Sequence, residues 1–212
     1  MYKIAFKQLL DLLLAIILIP VFLATYVIFG ILIKVEDGGP IIYNQRRLGK
    51  NGKIFNIKKF RTMKVNAPDL RNGDGSTFNS SNDERVTNIG NLMRKTSIDE
   101  IPQIINILKG EMSFIGPRPD LPEALSRYEE MERHKLDVKP GISGYSQAYF
   151  RNSISSTEKF RNDVTYVNKI SLILDIKICF ATILILVKCV NIYNETSTSK
   201  SIKQHENIDN SF

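Results

Sequence analysis

A helix-rich α+β fold tied to a membrane is what this sequence predicts, on three observations. A charge-free apolar run fills residues 12–33, short β-like segments follow near 54–62, and apolar side chains recur at helical spacing from Ile101 onward. At 212 residues the chain can bury one core beside an anchor. Three regions are expected: a membrane segment over 1–36, a globular domain with interfacial helices over 37–193, and a polar Ser/Asn/Lys-rich tail over 194–212 whose composition predicts disorder. Lys and Arg total 29 against 22 Asp and Glu, a net charge of +7, so the partners should be anionic: phosphate esters, acidic headgroups or nucleic acid. Cys179 and Cys189 lie in an apolar stretch with no histidine near, which argues against a zinc site or a disulfide framework. With only His134 and His205 present, a Ser-His-Asp or Cys-His arrangement is hard to build. Any chemistry falls to carboxylates, bases and a metal.

The first element is the apolar run. At a rise of about 1.5 Å per residue it is long enough to cross a hydrocarbon core of about 30 Å. No small-residue cleavage pattern follows it, and Lys34 and a basic stretch do, which speaks against a cleaved leader. Pro20 removes one backbone donor and crowds the preceding turn, predicting a kink over 16–20. Lys3 and Lys7 precede the segment, and Lys34, Arg46, Arg47, Lys50 and Lys53 follow it, so both ends read as cytoplasmic. That pattern fits a helix-break-helix entering and leaving on one face. Prolines are also tolerated in spanning helices, so a kinked single-pass anchor stays open.

The second element is basic. No acidic residue occurs over 38–68, while Arg46, Arg47, Lys50, Lys53, Lys58, Lys59, Arg61 and Lys64 do. Residues 54–57 and 59–62 have strand character, and alternation places Lys59 and Arg61 on one face with Phe60 on the other. Two cations so spaced can grip one diphosphate; a solvated strand face or a headgroup patch are the plain alternatives. No aromatic platform is interleaved, so a nucleic-acid partner is not expected. The Asn/Asp/Gly/Ser-rich stretch over 66–88 lacks the ligand spacing and closing Glu of a calcium loop, and reads as a substrate-side loop or a linker.

The third element carries the candidate chemistry. Ser97-Ile98-Asp99-Glu100-Ile101-Pro102 opens a helix, continued by Ile104, Ile105 and Leu108 and ended by Gly110. Asp99 and Glu100 thus sit in a first turn, where an isolated acidic pair is ordinarily a cap. A helix start also attracts phosphate and keeps a carboxylate ionised, as attack on phosphorus requires. Adjacent first-turn residues diverge, so one can attack while the other holds Mg²⁺. Arg94 precedes the pair. Arg118 follows in Gly116-Pro117-Arg118-Pro119, where prolines restrict the backbone, and each guanidinium can fork onto phosphate oxygens. Asp120-Leu121-Pro122-Glu123 starts a further helix reaching about Arg133, and Pro140-Gly141 marks a turn. Residues 170–190 are apolar but interrupted by Asp175, Lys177 and Lys188, predicting an amphipathic helix on the membrane surface, with a second span as the alternative.

In chain order, Pro20, Gln45-Arg46-Arg47-Leu48-Gly49, Lys59-Phe60-Arg61-Thr62-Met63, Arg94 through Gln103, Gly110 through Pro119, Lys139 through Gln147, and then Asp163, Tyr166-Val167 and Leu174-Asp175-Ile176-Lys177 form a specific set. It resembles the bacterial sugar transferase family of small monotopic phosphoglycosyl transferases. The resemblance implies a re-entrant membrane helix on the cytoplasmic face of the bacterial plasma membrane. It implies a UDP-sugar donor, a polyprenyl phosphate acceptor and release of UMP, in the first step of exopolysaccharide or capsule assembly, with downstream glycosyltransferases as further partners. By the same resemblance Asp99 is the nucleophile and Glu100, with Asp99 beside it, the Mg²⁺ ligand. Arg94, Arg118 and Arg151 hold phosphate, and Lys59 and Arg61 belong to a motif without an assigned duty. With no multi-span region ahead of it, the chain reads as a short member. It departs from the pattern at Tyr145 and Ser146, where Trp and Ala are usual, and at Ile19, where Ser is frequent; these changes bear on docking and on the membrane bend more than on chemistry. A UDP-releasing glycosyltransferase and a non-catalytic membrane adaptor are the competing readings.

Overall fold

The computed structural model describes Tyr2 and residues 6–71, 78, 80, 82–150 and 153–188. The apolar segment forms α1 (Lys7–Asp37), followed by β1 (Ile42–Leu48) and β2 (Ile54–Phe60). Next come α2 (Asn88–Thr96), a 3₁₀ helix Ile98–Gln103, α3 (Ile104–Leu108) and β3 (Ser113–Ile115). Two 3₁₀ helices, Pro122–Arg127 and Met131–Asp137, lead to β4 (Gly141–Ser143), α4 (Tyr145–Tyr149), α5 (Ser156–Lys169) and α6 (Leu172–Lys188). β1 and β2 pair antiparallel, with Gln45 opposite Ile57, and β3 and β4 pair parallel. The fold is therefore helix-rich α+β, with one long apolar helix able to span or sit in a membrane. The polar tail over 194–212 and part of the 66–88 stretch lie outside the described residues.

α1 is one helix through Pro20, where the sequence predicts a break. Side chains on both sides of the proline pack on one cluster: Ala15 and Leu18 before it, and Phe22 after it, meet Phe55, Ile57, Ile104, Ile107 and Met112. That shared packing holds the turn helical despite the missing donor. Farther along, Tyr26, Phe29 and Ile33 meet Phe60 and Met93. The other side of α1 leaves Ile17, Val21, Val27, Ile31 and Val35 exposed. At its end Gly38 takes a left-handed φ of 70° and returns its N–H to Lys34 O, a cap that suits glycine.

The last turn of α1 organises the segments after it. Glu36 Oε1 accepts from Asn88 N at 2.7 Å, so its carboxylate caps α2 and meets that helix's positive end. Asp37 pairs with Arg61, whose Nε also donates to Pro40 O at 2.7 Å and whose Nη1 donates to Met63 O at 2.8 Å. A Cβ on Gly39 would lie 2.5 Å from Val65 Cγ2 and 2.7 Å from Arg61 Nη2, so a side chain at position 39 would have to displace this packing. The buried Asn106 joins α3 to β2: Lys58 N donates to its Oδ1 at 3.0 Å, and its Nδ2 donates to Asn56 O at 2.8 Å. Both amide ends are used, which fixes the 3₁₀–α3 segment against the sheet.

The expected helix over 120–133 is two 3₁₀ pieces instead. The chain is extended at Tyr128 (φ −73°, ψ 127°), whose hydroxyl reaches back to Asp120 Oδ2 at 2.6 Å. α6 buries Asp175 and Ile178 and exposes Ile173, Ile176, Phe180, Ile183 and Leu184. Asp175 accepts from Tyr2 at 2.6 Å, from Lys7 at 2.6 Å and from Tyr166 at 2.7 Å, tying the start of α1 to α6.

Candidate active site

Asp99 and Glu100 stand in the first turn of the 3₁₀ helix Ile98–Gln103, rather than of an α-helix as the sequence predicts. Ser97 causes the difference. It takes a left-handed φ of 57°, ends α2 by donating its N–H to Arg94 O, and restarts the chain with Glu100 N donating to Ser97 O at 3.2 Å. Pro102, without an N–H, is tolerated this early in a helical segment. Both carboxylates are half-buried, open on one side to solvent.

β2 supplies the first cation. Phe60 is driven into the core, so strand alternation turns Lys59 to the other face, where its Nζ meets Glu100 Oε1 at 2.6 Å. Arg94, in the last turn of α2, donates from Nε to Thr62 Oγ1 at 3.0 Å and lies close enough to Asp99 to favour its ionised form. Arg118 is exposed in the Pro-Arg-Pro loop and, with Lys59 and Arg47, favours ionisation of Glu100. That loop is held from below, since Leu48 N donates to Asp120 O at 2.8 Å and Arg47 Nη1 donates to Pro119 O at 3.2 Å.

The two carboxylates are driven apart electrostatically. Burial raises Asp99 to about 6; Lys59 opposes the rise and neighbouring Glu100 adds to it. Burial would raise Glu100 too, but Lys59 and then Arg118 outweigh it and hold Glu100 below its ordinary value. Burial and Lys59 thus separate the two carboxylates in their tendency to ionise.

A Mg²⁺ ion ordinarily takes one or two protein carboxylates and completes its shell with water and substrate phosphate. Among the described residues no three acidic, histidine or cysteine side chains converge, yet this pair suffices for that pattern. Glu100 Oε1 is occupied by Lys59, and no hydrogen bond takes Glu100 Oε2 among the described residues. The donor set fits.

The structure thus gathers Asp99, Glu100, Lys59, Arg94 and Arg118. Arg61 is not among them: it follows β2, turns away from Lys59 and is buried against Asp37, so the two do not grip one anion together. Pro20 lies on the membrane helix, and Arg151 lies outside the described residues. Sequence reasoning gave Arg47 no role of its own, naming it only in a basic run and within the Gln45–Gly49 motif, and passed over Asn106, an unremarkable polar residue among isoleucines. It also missed the buried Lys135, which pairs with Asp120 and lies 2.9 Å from Asp163 Oδ2. Lys135 sits 4.8 Å over the Phe160 ring, and Ser146, one of the departures from the family pattern, donates to Asp163 Oδ1 at 3.2 Å. An apolar residue three or four places from a charged one on α5 carries no signal that would reveal this network.

Residues 2–189 match the sequence profile of the family described as bacterial sugar transferase. Over 178 residues the chain is 41% identical to EpsL, a sugar transferase of Bacillus subtilis, covering 84% of this chain and 85% of EpsL. It is 41% identical over 156 residues to the galactosyl transferase CpsE of Streptococcus agalactiae, covering 70% of this chain and 35% of CpsE. It is 40% identical over 161 residues to the UDP-glucose:undecaprenyl-phosphate glucose-1-phosphate transferase of Escherichia coli, covering 71% of this chain and 33% of that enzyme. The alignments thus span about a third of the length of the last two and most of EpsL. With a profile match over nearly the whole described chain, this protein belongs to the bacterial sugar transferase family.

Proposed function

We propose that this chain moves a phosphosugar from a UDP-sugar to polyprenyl phosphate, giving polyprenyl-diphosphate-sugar and UMP, as the initiating step of a surface glycan. The observation that carries the proposal is the split carboxylate pair on an open turn, with Lys59 on one member and Arg94 and Arg118 beside it. The E. coli relative's name, which joins UDP-glucose to undecaprenyl phosphate, supports the same pair of substrates.

In this reading an Asp99 carboxylate oxygen attacks the β-phosphorus of the donor. The bond to the bridging oxygen breaks, UMP leaves with those electrons, and the phosphosugar rests on Asp99 as an acyl phosphate. A phosphate oxygen of polyprenyl phosphate then attacks the same phosphorus and frees Asp99. Glu100, with Asp99 beside it, would hold Mg²⁺, which when bound screens the diphosphate charge and favours departure of UMP. Lys59 keeps Glu100 ionised and oriented, and so leaves Asp99 to face the donor. Arg94 and Arg118 bring charge to the phosphate oxygens, the larger part of phosphoryl-transfer catalysis.

The acceptor's long chain requires a site at the lipid boundary. α1 packs on the globular domain from Asp11, whose Oδ1 accepts from Phe114 N at 3.1 Å, to Ile33, while its other side is apolar and exposed. In this reading both ends of α1 stay on that domain's side of the membrane, and the packing of both halves of the helix against one domain supports it. α6 also exposes an apolar face, which in this reading lies on the membrane surface. In this reading the domain faces the cytoplasmic side of the bacterial plasma membrane, where UDP-sugars are available and downstream glycosyltransferases can take the product; the positive flanks support it. The domain expectation of a membrane part over 1–36 and a catalytic part over 37–193 is kept in this reading.

The test is the released nucleotide. Detergent-solubilised protein, Mg²⁺, polyprenyl phosphate and a panel of UDP-sugars should yield UMP from at least one donor. UDP as the product makes the chain an ordinary glycosyltransferase, and no nucleotide from any donor supports an adaptor.

A further inference from the structure

Arg47 lies on β1, takes no part in the proposed catalytic step, and has surroundings unusual for a half-buried cation. Its Nη2 donates to Gln45 Oε1 at 2.6 Å and its Nη1 to Pro119 O at 3.2 Å, both neutral acceptors. Its Nε is buried and has no hydrogen-bond partner. Among the described residues no carboxylate forms an ion pair with it. The charged groups near it are Arg118 and Arg71, which repel it, Asp120, already engaged by Lys135 and Tyr128, and Glu100, already paired with Lys59. Burial first, and then Arg118, push its guanidinium down to about 10, so the arrangement works against the charge it carries. A buried cation is ordinarily matched by a carboxylate, because an unpaired charge is costly. Here Arg47 is bonded to the backbone next to Arg118, and among the described residues neither guanidinium forms an ion pair with a carboxylate.

From this geometry we infer that Arg47 and Arg118 form a paired-guanidinium clamp for a phosphate group, making Arg47 a further substrate-binding residue. The Pro119 carbonyl links the two: Arg47 holds the backbone of the residue next to Arg118, so the exposed fork is carried on the half-buried one. A phosphate dianion supplies the charge the site lacks, and guanidinium forks match its oxygens. The inference rests on the transferase reading for its substrates. The phosphate can belong to the donor's nucleotide half or to the polyprenyl acceptor.

The experiment compares wild type, R47Q, R47K and D99N in detergent, with Michaelis constants for a UDP-sugar and for polyprenyl phosphate measured separately, and melting with and without UMP or pyrophosphate. R47Q should raise one Michaelis constant by about tenfold or more, the cost of one lost charge-assisted contact. R47K, which keeps the charge and loses the fork, should fall between. A rise for the UDP-sugar assigns the clamp to the donor, and a rise for polyprenyl phosphate assigns it to the acceptor. Protection of melting by UMP or by pyrophosphate should persist in D99N and, for at least one of the two, weaken in R47Q. Unchanged Michaelis constants in R47Q, or undiminished protection by both anions, would overturn the clamp and leave Arg47 as a prop for the Pro119 loop. If R47Q does not fold, R47K decides, and wild-type Michaelis constants in it overturn the clamp. Failure of wild type to release UMP from any donor sinks the transferase reading by itself, and the anion-protection arm still reads Arg47.

Discussion

Two clusters of charge lie on either side of the Pro-Arg-Pro loop, and they are built on opposite rules. Behind the loop, Lys135 is buried between Asp120 and Asp163, roofed by Phe160 and Tyr128, and closed by hydrogen bonds from Tyr128 and Ser146. Here a cation is outnumbered by carboxylates and every contact is internal. In front, Lys59, Arg94, Arg118 and Arg47 face Asp99 and Glu100, half-open to solvent, with cations in excess. A closed cluster stabilises a fold; an open one with surplus charge of one sign awaits a ligand of the other. The two share Asp120 and its loop, so the buried cluster fixes the platform from which Arg118 acts.

The sharpest break between the two comes from removing one charge from each. Asp99→Asn should lower UMP release by about a thousandfold or more while the protein stays folded, because the nucleophile proposed for Asp99 acts only in the reaction. Its melting temperature at pH 8 should hold or rise. Asp99 is raised in the fold, so its contribution to stability is complete below an unfolded value near 4 and is lost as pH climbs through about 6. Lys135→Met should do the reverse. It leaves Asp120 and Asp163 buried without their cation, at a cost of about 3–5 kcal/mol, read as a large fall in melting temperature by calorimetry. Equal loss of stability in both variants would erase the distinction.

A smaller effect sharpens the assignment within the open cluster. UMP release in the first half-reaction, measured without polyprenyl phosphate so that the acceptor does not titrate, should fall about tenfold per pH unit below about 6 and level off above it. A flat profile down to pH 5 would mean that Asp99 is not the group ionising in the step. The smallest effect belongs to neither cluster. His134 and Asp137 form an exposed pair at 2.9 Å, and His134→Ala should change stability by less than about 0.5 kcal/mol and leave UMP release unaltered.

The parts of this molecule legible in the sequence were those with local grammar. The apolar run, the strand character near 54–60, the acidic pair behind a helix start and the Pro-Arg-Pro turn all depend on residues within a few positions of one another. Contacts made across the chain left no such trace. Nothing near Lys135 marks it as buried, since its partners come from 15 residues earlier on the loop and from α5. Lys59 and Arg61 alternate as strand residues should, yet the strand stops at Phe60, and Asp37, far back on α1, captures Arg61. Pro20 predicts a break that packing of Ala15 and Phe22 on one cluster overrides. Ser97 in a left-handed conformation, a position that favours glycine, changes the dyad's helix from α to 3₁₀ without any cue in its own identity.

The central claim is that Asp99 carries the phosphosugar covalently, and intact-protein mass spectrometry tests it most directly. Wild-type protein mixed with its UDP-sugar and Mg²⁺ but no acceptor should gain the mass of one phosphosugar, matched by one UMP released per chain. The adduct should disappear when polyprenyl phosphate is added and never form in Asp99→Asn. Turnover to polyprenyl-diphosphate-sugar with no adduct on the rapidly quenched wild-type chain, or an adduct that persists in Asp99→Asn, would contradict the account.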